Sequence, residues 1–245
     1  MRKIFWEDPY QSKLCATVAE VNGAEVLFSE TIAYSFSGGQ ESDIATVNGI
    51  SILNSRMNGT DIYYTLPENH GLSVNDKIEM QIDWTRRNRL MRLHFACELI
   101  LVIINRIFAK KHVEDELIPE DIDNVGIVKT GAHIAEDKAR IDFKLDENIA
   151  SLFPNILSEY NRIIDADLPI LTGFFDEVTQ HRYWRIEGLA TVPCGGTHVR
   201  STAEVGLVDL KRECRGKGVE RIKITLKDPA PTTIAKLILP CLPGH

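Results

Sequence analysis

The rhythm of apolar and polar positions changes once along this chain of 245 residues. Up to about Asp83 it consists of short alternating runs broken by turn residues. Ala16–Val21 and Ala24–Ser29 flank Asn22-Gly23, a dipeptide suited to a type I′ hairpin because both residues tolerate positive φ. Ile44–Val47, Gly49–Leu53 and Ile62–Leu66 follow, interrupted at Asn48-Gly49, Asn58-Gly59, Pro67 and His70-Gly71. Strands this short and this evenly spaced predict a small all-β barrel over residues 1–83.

Beyond Trp84 the period becomes helical. No Gly or Pro interrupts Arg87–Lys111, and Leu90, Leu93, Cys97, Leu101 and Ile104 recur on one face. Asp83 or Thr85 can cap the start, while Lys110 and Lys111 suit the negative end of the helix dipole. A second helix is predicted over 148–165, interrupted or restarted near Pro154. Strands are predicted at Val125–Lys129, Ala139–Leu145, Tyr183–Ile186 and Arg221–Leu226. Helices mixed irregularly with strands make residues 84–245 an α+β domain rather than a βαβ array. There is no internal repeat.

Composition adds constraints. An apolar fraction of 44% and a charged fraction of 26% are those of an ordinary globular protein. The longest aliphatic run, Leu99–Ile104, falls far short of the about 20 residues needed to span a bilayer, so no membrane partner is expected. The N-terminal residues lack a signal-like apolar stretch, and the expected location is cytoplasmic. Five scattered cysteines do not read as a disulfide framework, and Cys15, Cys97, Cys214 and Cys241 are expected to be idle thiols. The net charge of -7 sits wholly in residues 1–83, which hold 5 Lys and Arg against 12 Asp and Glu. The remainder is balanced, so two domains with different partners are expected.

The chemistry lies in that second, balanced part. His94 and Glu98 are four apart in the predicted helix, so both project from one face and can converge on an ion. Pro193-Cys194-Gly195-Gly196-Thr197-His198 sets a thiol and an imidazole four apart across two glycines that permit a tight turn. Thiolate plus imidazole is a favoured Zn²⁺ ligand set. A Cys nucleophile with a His base is the competing reading, although no third, orienting residue is evident.

Several motifs carry a family resemblance. Arg87-Asn-Arg89-Leu-Met-Arg-Leu-His94 and Cys194-Gly-Gly-Thr-His198 resemble the editing domain of alanyl-tRNA synthetase and its free-standing AlaX relatives. So do Thr130-Gly-Ala-His-Ile134, Asp137-Lys-Ala-Arg-Ile-Asp-Phe143 and Arg215-Gly-Lys-Gly-Val-Glu-Arg221. Ser37-Gly-Gly-Gln-Glu-Ser-Asp43 is similar to the family's glycine-rich segment, which the threonyl-tRNA synthetase editing domain lacks. The chain length leaves no room for an aminoacylation domain, so the medium-length AlaX class is expected: a small β-barrel followed by an α+β editing domain.

The resemblance implies a trans-editing hydrolase acting on tRNA(Ala) mischarged with serine, and secondarily with glycine. It also implies that His94, Cys194 and His198 bind zinc, which would position and polarise the ester or the attacking water. Position 98 departs from the family, whose motif is His-x-x-x-His. Glu98 is read as a fourth metal ligand, as a general base, or as the mark of a weakened site. Gly38-Gly39-Gln40, a tripeptide also found in translation release factors, is read as a loop beside the catalytic pocket, against the plainer alternative of a strand-connecting turn. Gln40 is then a candidate catalytic residue, with Gly38, Gly39 and Thr197 as pocket residues. Two cationic clusters, Arg86, Arg87, Arg89 and Arg92, and Lys211, Arg212, Arg215 and Lys217 (continued by Arg221 and Lys223), are candidate tRNA contacts. The alternatives are a non-catalytic tRNA-binding relative and a hydrolase that works without metal.

Overall fold

A computed structural model describes residues 1–112, 127–214, 216 and 218–227. They fall into two compact units. One holds Met1–Phe36 and Ser42–Asn88; the other holds Ser37–Glu41 and the described residues from Arg89 to Lys227.

The first unit contains β1 (Arg2–Lys3), α1 (Ile4–Glu7), β2 (Lys13–Asn22), β3 (Glu25–Phe28), β4 (Glu30–Thr31), β5 (Ala45–Val47), β6 (Ile50–Ser51), β7 (Asn54–Asn58), β8 (Asp61–Thr65) and β9 (Lys77–Ile82). Seven of these strands form one curled sheet in the order β6-β5-β9-β2-β3-β8-β7. The long β2 makes the curl. Its first half pairs with β9 and its second half with β3, across a bulge between Val18 and Glu20. A closed barrel is not what the pairing shows, since the short β6 and the exposed β7 stand at opposite edges. The predicted hairpin forms, but Asn22 pairs with Glu25, so Gly23 (φ 59°) and Ala24 make the turn. The alternation in β8 and β9 sends Ile62, Tyr64, Ile78, Met80 and Ile82 into a core with Val18, Val26 and Phe28.

Arg87 belongs to this first unit and is fully buried. Its guanidinium holds both carboxylate oxygens of Asp43 and donates to Pro9 O at 2.9 Å and Ile32 O at 2.6 Å. This corrects its assignment as a tRNA contact, because every face of the fork is spent inside the protein. Arg86 is half-buried, with Nε on Ser42 O at 3.1 Å.

The helix α2 (Trp84–His112) starts three residues earlier than predicted, is capped by Asp83 Oδ1 on the Arg86 amide at 3.1 Å, and belongs to the second unit from Arg89 onward. From Leu90 to Ile104 almost every side chain of α2 is buried, whichever way it points. Around it lie β10 (Val128–Ile134), β11 (Ala139–Lys144), α3 (Phe153–Asp165), β12 (Leu171–Asp176), β13 (His181–Ile186), β14 (Ala190–Pro193), β15 (Val208–Cys214) and β16 (Val219–Leu226). They make a four-stranded sheet, β10-β11-β16-β15, and a three-stranded one, β12-β13-β14. The second predicted helix splits at Leu152: a 3₁₀ turn capped by Asn148 precedes α3, whose first turn holds Pro154. The predicted strand at 125–129 lies partly outside the described residues, and β10 carries it on to Ile134.

Candidate metal centre

All the residues of this centre belong to the second unit. His94 and Glu98 stand one turn apart on α2, and Cys194 and His198 follow β14. The ligand atoms of His94, Cys194 and His198 lie within 4.8 Å of one another. His94 Nε2 is 3.1 Å from Cys194 Sγ, and the two imidazoles meet edge to face with centroids 5.2 Å apart. Both histidines are buried. Burial lowers the pKa of each, His198 well below its ordinary value because the His94 and Arg182 charges add to burial. Both rings are therefore neutral, the form that ligates a metal. Burial, reinforced by the Glu98 charge, pushes the Cys194 thiol up, and a bound cation would reverse that by taking the thiolate.

The fit to a metal rests on unsatisfied polar atoms. Neither ring nitrogen of His198 has a hydrogen-bond partner, and both are buried. Such a group costs about 1–3 kcal/mol unless something occupies its lone pair. Two neutral imidazoles and a thiol meeting at one point suit zinc. Glu98 lies beside the three: Oε1 is 3.9 Å from His94 Nε2, and Oε2 accepts from Trp184 Nε1 at 3.4 Å.

The glycine-rich segment builds the other side of the centre. Gly38 (φ 58°) and Gly39 (φ 86°) form a tight turn closed by Ser37 and Gln40, which exchange backbone hydrogen bonds. Gly39 presses so close to β10 that a Cβ there would stand 2.6 Å from Ala132 O. Glu41 N donates to Ile134 O at 3.0 Å and Ile134 N to Gly39 O at 2.7 Å, fixing the turn on that strand. The buried Gln40 then donates from Nε2 to Thr197 Oγ1 at 2.8 Å and accepts the Thr197 amide on Oε1 at 3.2 Å. Both ends of its carboxamide are thus occupied. Gln40 ties the glycine-rich turn to the Cys194–His198 loop. Thr197, itself buried, is part of that clamp, and Gly38 is exposed, with open space where a Cβ would stand. Turn and near-site loop, weighed as alternatives for this tripeptide, are one structure.

The cationic clusters separate on inspection. Arg92 is buried, with Nε on Val205 O at 2.9 Å, and Arg212 forms a two-pronged pair with Glu220. Burial takes Arg92 away from any phosphate backbone, which corrects its assignment, while Arg212 remains partly exposed beside its Glu220 partner. Arg89 is half-buried and donates to Glu136 O at 2.9 Å, while Lys211 is exposed. Arg215 and Lys217 lie outside the described residues. Among the cysteines, Cys97 is a buried free thiol and Cys214 an exposed one, as expected. Cys241 lies outside the described residues. Among the described residues no helix is long and apolar enough to cross a membrane. Sequence reasoning missed Arg182 and Trp184. The alternation of β13, which buries 182, 184 and 186, was the available signal.

The family profile described as threonyl and alanyl tRNA synthetase second additional domain matches residues 183–223. An alanyl-tRNA editing protein AlaX-M of Methanosarcina barkeri is 30% identical over 256 aligned residues, covering 92% of this chain and 98% of the relative. The AlaX-M protein of Pyrococcus horikoshii is 29% identical, with the same coverage of each chain. The alanine–tRNA ligase of Methanococcus aeolicus is 27% identical over 91% of this chain, which corresponds to 25% of the ligase.

Proposed function

The chain belongs to the alanyl-tRNA editing protein family, AlaX, and on that premise we propose that it hydrolyses the ester of mischarged aminoacyl-tRNA in trans. The observation that carries the reading is the meeting of His94, Cys194 and His198 in a buried cluster with one carboxylate, Glu98, alongside. The proposed substrate is tRNA(Ala) bearing serine, with glycine second.

In this reading zinc is held by His94, Cys194 and His198, and when bound it supplies a Lewis acid for the ester carbonyl or the water. Glu98 accepts the proton of the attacking water as the new C–O bond forms. It returns that proton to the terminal ribose oxygen as the ester bond breaks, leaving free amino acid and uncharged tRNA. What supports this role is that Trp184 holds one oxygen of Glu98 while the other, 3.9 Å from His94 Nε2, faces the cluster. Gln40 keeps the Thr197 backbone fixed, and with it the two ligands that flank it in sequence. Exposed Lys211, half-buried Arg86 and Arg89, and Arg215 and Lys217 are proposed for phosphate contacts, so binding should weaken steeply with salt.

The test is a deacylation panel of seryl-, glycyl- and alanyl-tRNA(Ala), with and without chelator. Release of serine and sparing of alanine are expected, with loss on chelation and in Cys194→Ala. Glu98→Gln should keep its zinc while turnover falls by about 10²–10⁴-fold. Full activity of Cys194→Ala would remove the metal mechanism, and inertness toward all three substrates would remove the deacylase.

A further inference from the structure

One row of side chains links the metal centre to the surface. In the three-stranded sheet Phe174 lies opposite Arg182. Cys194 N donates to Arg182 O at 2.8 Å, which extends the β13–β14 ladder by one residue beyond the Tyr183–Pro193 pair. Residues opposed across strands share a face, so Phe174, Arg182 and Cys194 stand side by side. At about 4.8 Å per strand, the aromatic ring is on the order of 10 Å from the thiol.

Phe174 and Arg182 differ in the way a binding surface needs. Arg182 is only 4% exposed; its guanidinium lies 5.2 Å from the Phe174 ring centroid, and Nη1 reaches Gly196 O at 3.5 Å. Phe174 sits on an edge strand and keeps 39% of its surface open. Exposed Leu171, Phe175 and Val178 continue the apolar edge on the same strand and turn. The nearby Asp176 carboxylate is turned onto the amides of Val178 and Thr179 and does not face the ring. A rigid aromatic face backed by a buried cation is a stacking platform for a nucleobase, and every base has a π-face to offer it.

We propose that Phe174 stacks the 3′-terminal base of the aminoacylated nucleic acid whose ester sits at the His94–Cys194–His198 centre. The inference rests on the reading that the substrate is an aminoacyl-tRNA. Its span of two strands is the reach of one ribose and its base, so the platform would set how far the 3′ end enters. It reads the presence of a base and not the amino acid.

The experiment uses uncharged tRNA(Ala) with 2-aminopurine as the terminal base, titrated with the full chain. Stacking quenches the fluorophore, so the native protein and Phe174→Trp should quench it, while Phe174→Ala and Phe174→Leu should not. In deacylation, Phe174→Ala should raise KM for the charged tRNA by roughly 5- to 150-fold, the equivalent of one lost base stack, with kcat nearly kept. Phe174→Leu keeps the bulk and guards against a folding artefact, and zinc content reports an intact centre. Undiminished quenching in both variants, or a fall in kcat with KM unchanged, would overturn the proposal. A change in sedimentation without any change in quenching would assign the edge to a second copy of the chain and overturn it equally. Quenching by a native protein that hydrolyses no ester would remove the deacylase reading and leave the platform standing.

Discussion

Substituting Gly196 by alanine isolates the steric demand of the metal centre. A Cβ at this position would stand 2.4 Å from His94 Cε1, 2.8 Å from His94 Nε2 and 2.9 Å from Gln40 Oε1. Ordinary contact begins at 3.4 Å, so the imidazole must retreat by a full ångström. The φ of Gly196 is not positive, so no backbone strain accompanies the change. Overpacking of this kind costs about 1–3 kcal/mol. The functional effect should be larger, since metal ligands tolerate shifts of about 0.2 Å and a 1 Å misplacement costs on the order of 100-fold in rate. Gly195→Ala is the control: nothing lies within 4 Å of its Cβ position and its φ is also ordinary. Zinc content after dialysis, Tm and kcat/KM are to be measured on both variants. Gly196→Ala should lose most of its metal and activity with a lowered Tm, while Gly195→Ala keeps metal and Tm. Equal metal content in the two variants would show that the 2.4 Å contact does not govern the site, and the reasoning would fail.

Other perturbations probe the supports. Gln40→Ala strands the buried Thr197 amide and should cost about 1–3 kcal/mol of stability while weakening zinc affinity; an unchanged urea midpoint with native zinc retention would contradict the clamp. Arg87→Ala leaves Asp43 buried without its partner and should cost about 3–5 kcal/mol. The salt dependence of tRNA binding should keep its slope in that variant; a shallower slope at native stability would return Arg87 to the phosphate contacts. The hydrogen bonds from Arg212 outweigh burial and hold Glu220 below its ordinary 4.5. Its contribution is therefore fully present above the unfolded pKa and is lost as pH falls through the depressed folded value. Urea midpoints taken from pH 6 down to pH 3 should fall less steeply for Glu220→Gln than for the native chain, and parallel curves would refute the linkage.

What was legible in the chain was mostly local. The helix spacing of His94 and the glycine turn between Cys194 and His198 each marked a candidate ligand, and it was the family resemblance that joined them into one set, whose ligand atoms lie within 4.8 Å of one another. The 3₁₀-to-helix break just before Pro154 and strand β16 were equally readable. The arginines were misread because charge was taken as a sign of surface. Arg87 shares its helical phase with Met91, His94 and Glu98, so the period already pointed it inward. Strand β15 was hidden in the same way, since Lys211, Arg212 and Glu213 mask its alternation and Glu220 neutralises Arg212 from the neighbouring strand. The exposed β12 has no burial pattern to detect. Gln40 could be placed near the site by its motif, but its role could not, because that depends on Thr197, which lies 157 residues further on.

That separation bears on how the protein is made. A ribosome adding about 5–20 residues per second needs roughly 8–30 s to travel from Gln40 to Thr197. During that interval the seven-stranded sheet can already be complete, since its last strand ends at Ile82. The Gly38-Gly39 turn must wait for β10 and then for the loop that supplies two of the three ligands. Cys194 closes on His94 across 100 residues, so the centre has no partial form that half a chain could build. Closing such long loops is the slow part of folding. A nascent chain would therefore gain its metal site in one late step, after nearly all of its hydrophobic core has been synthesised.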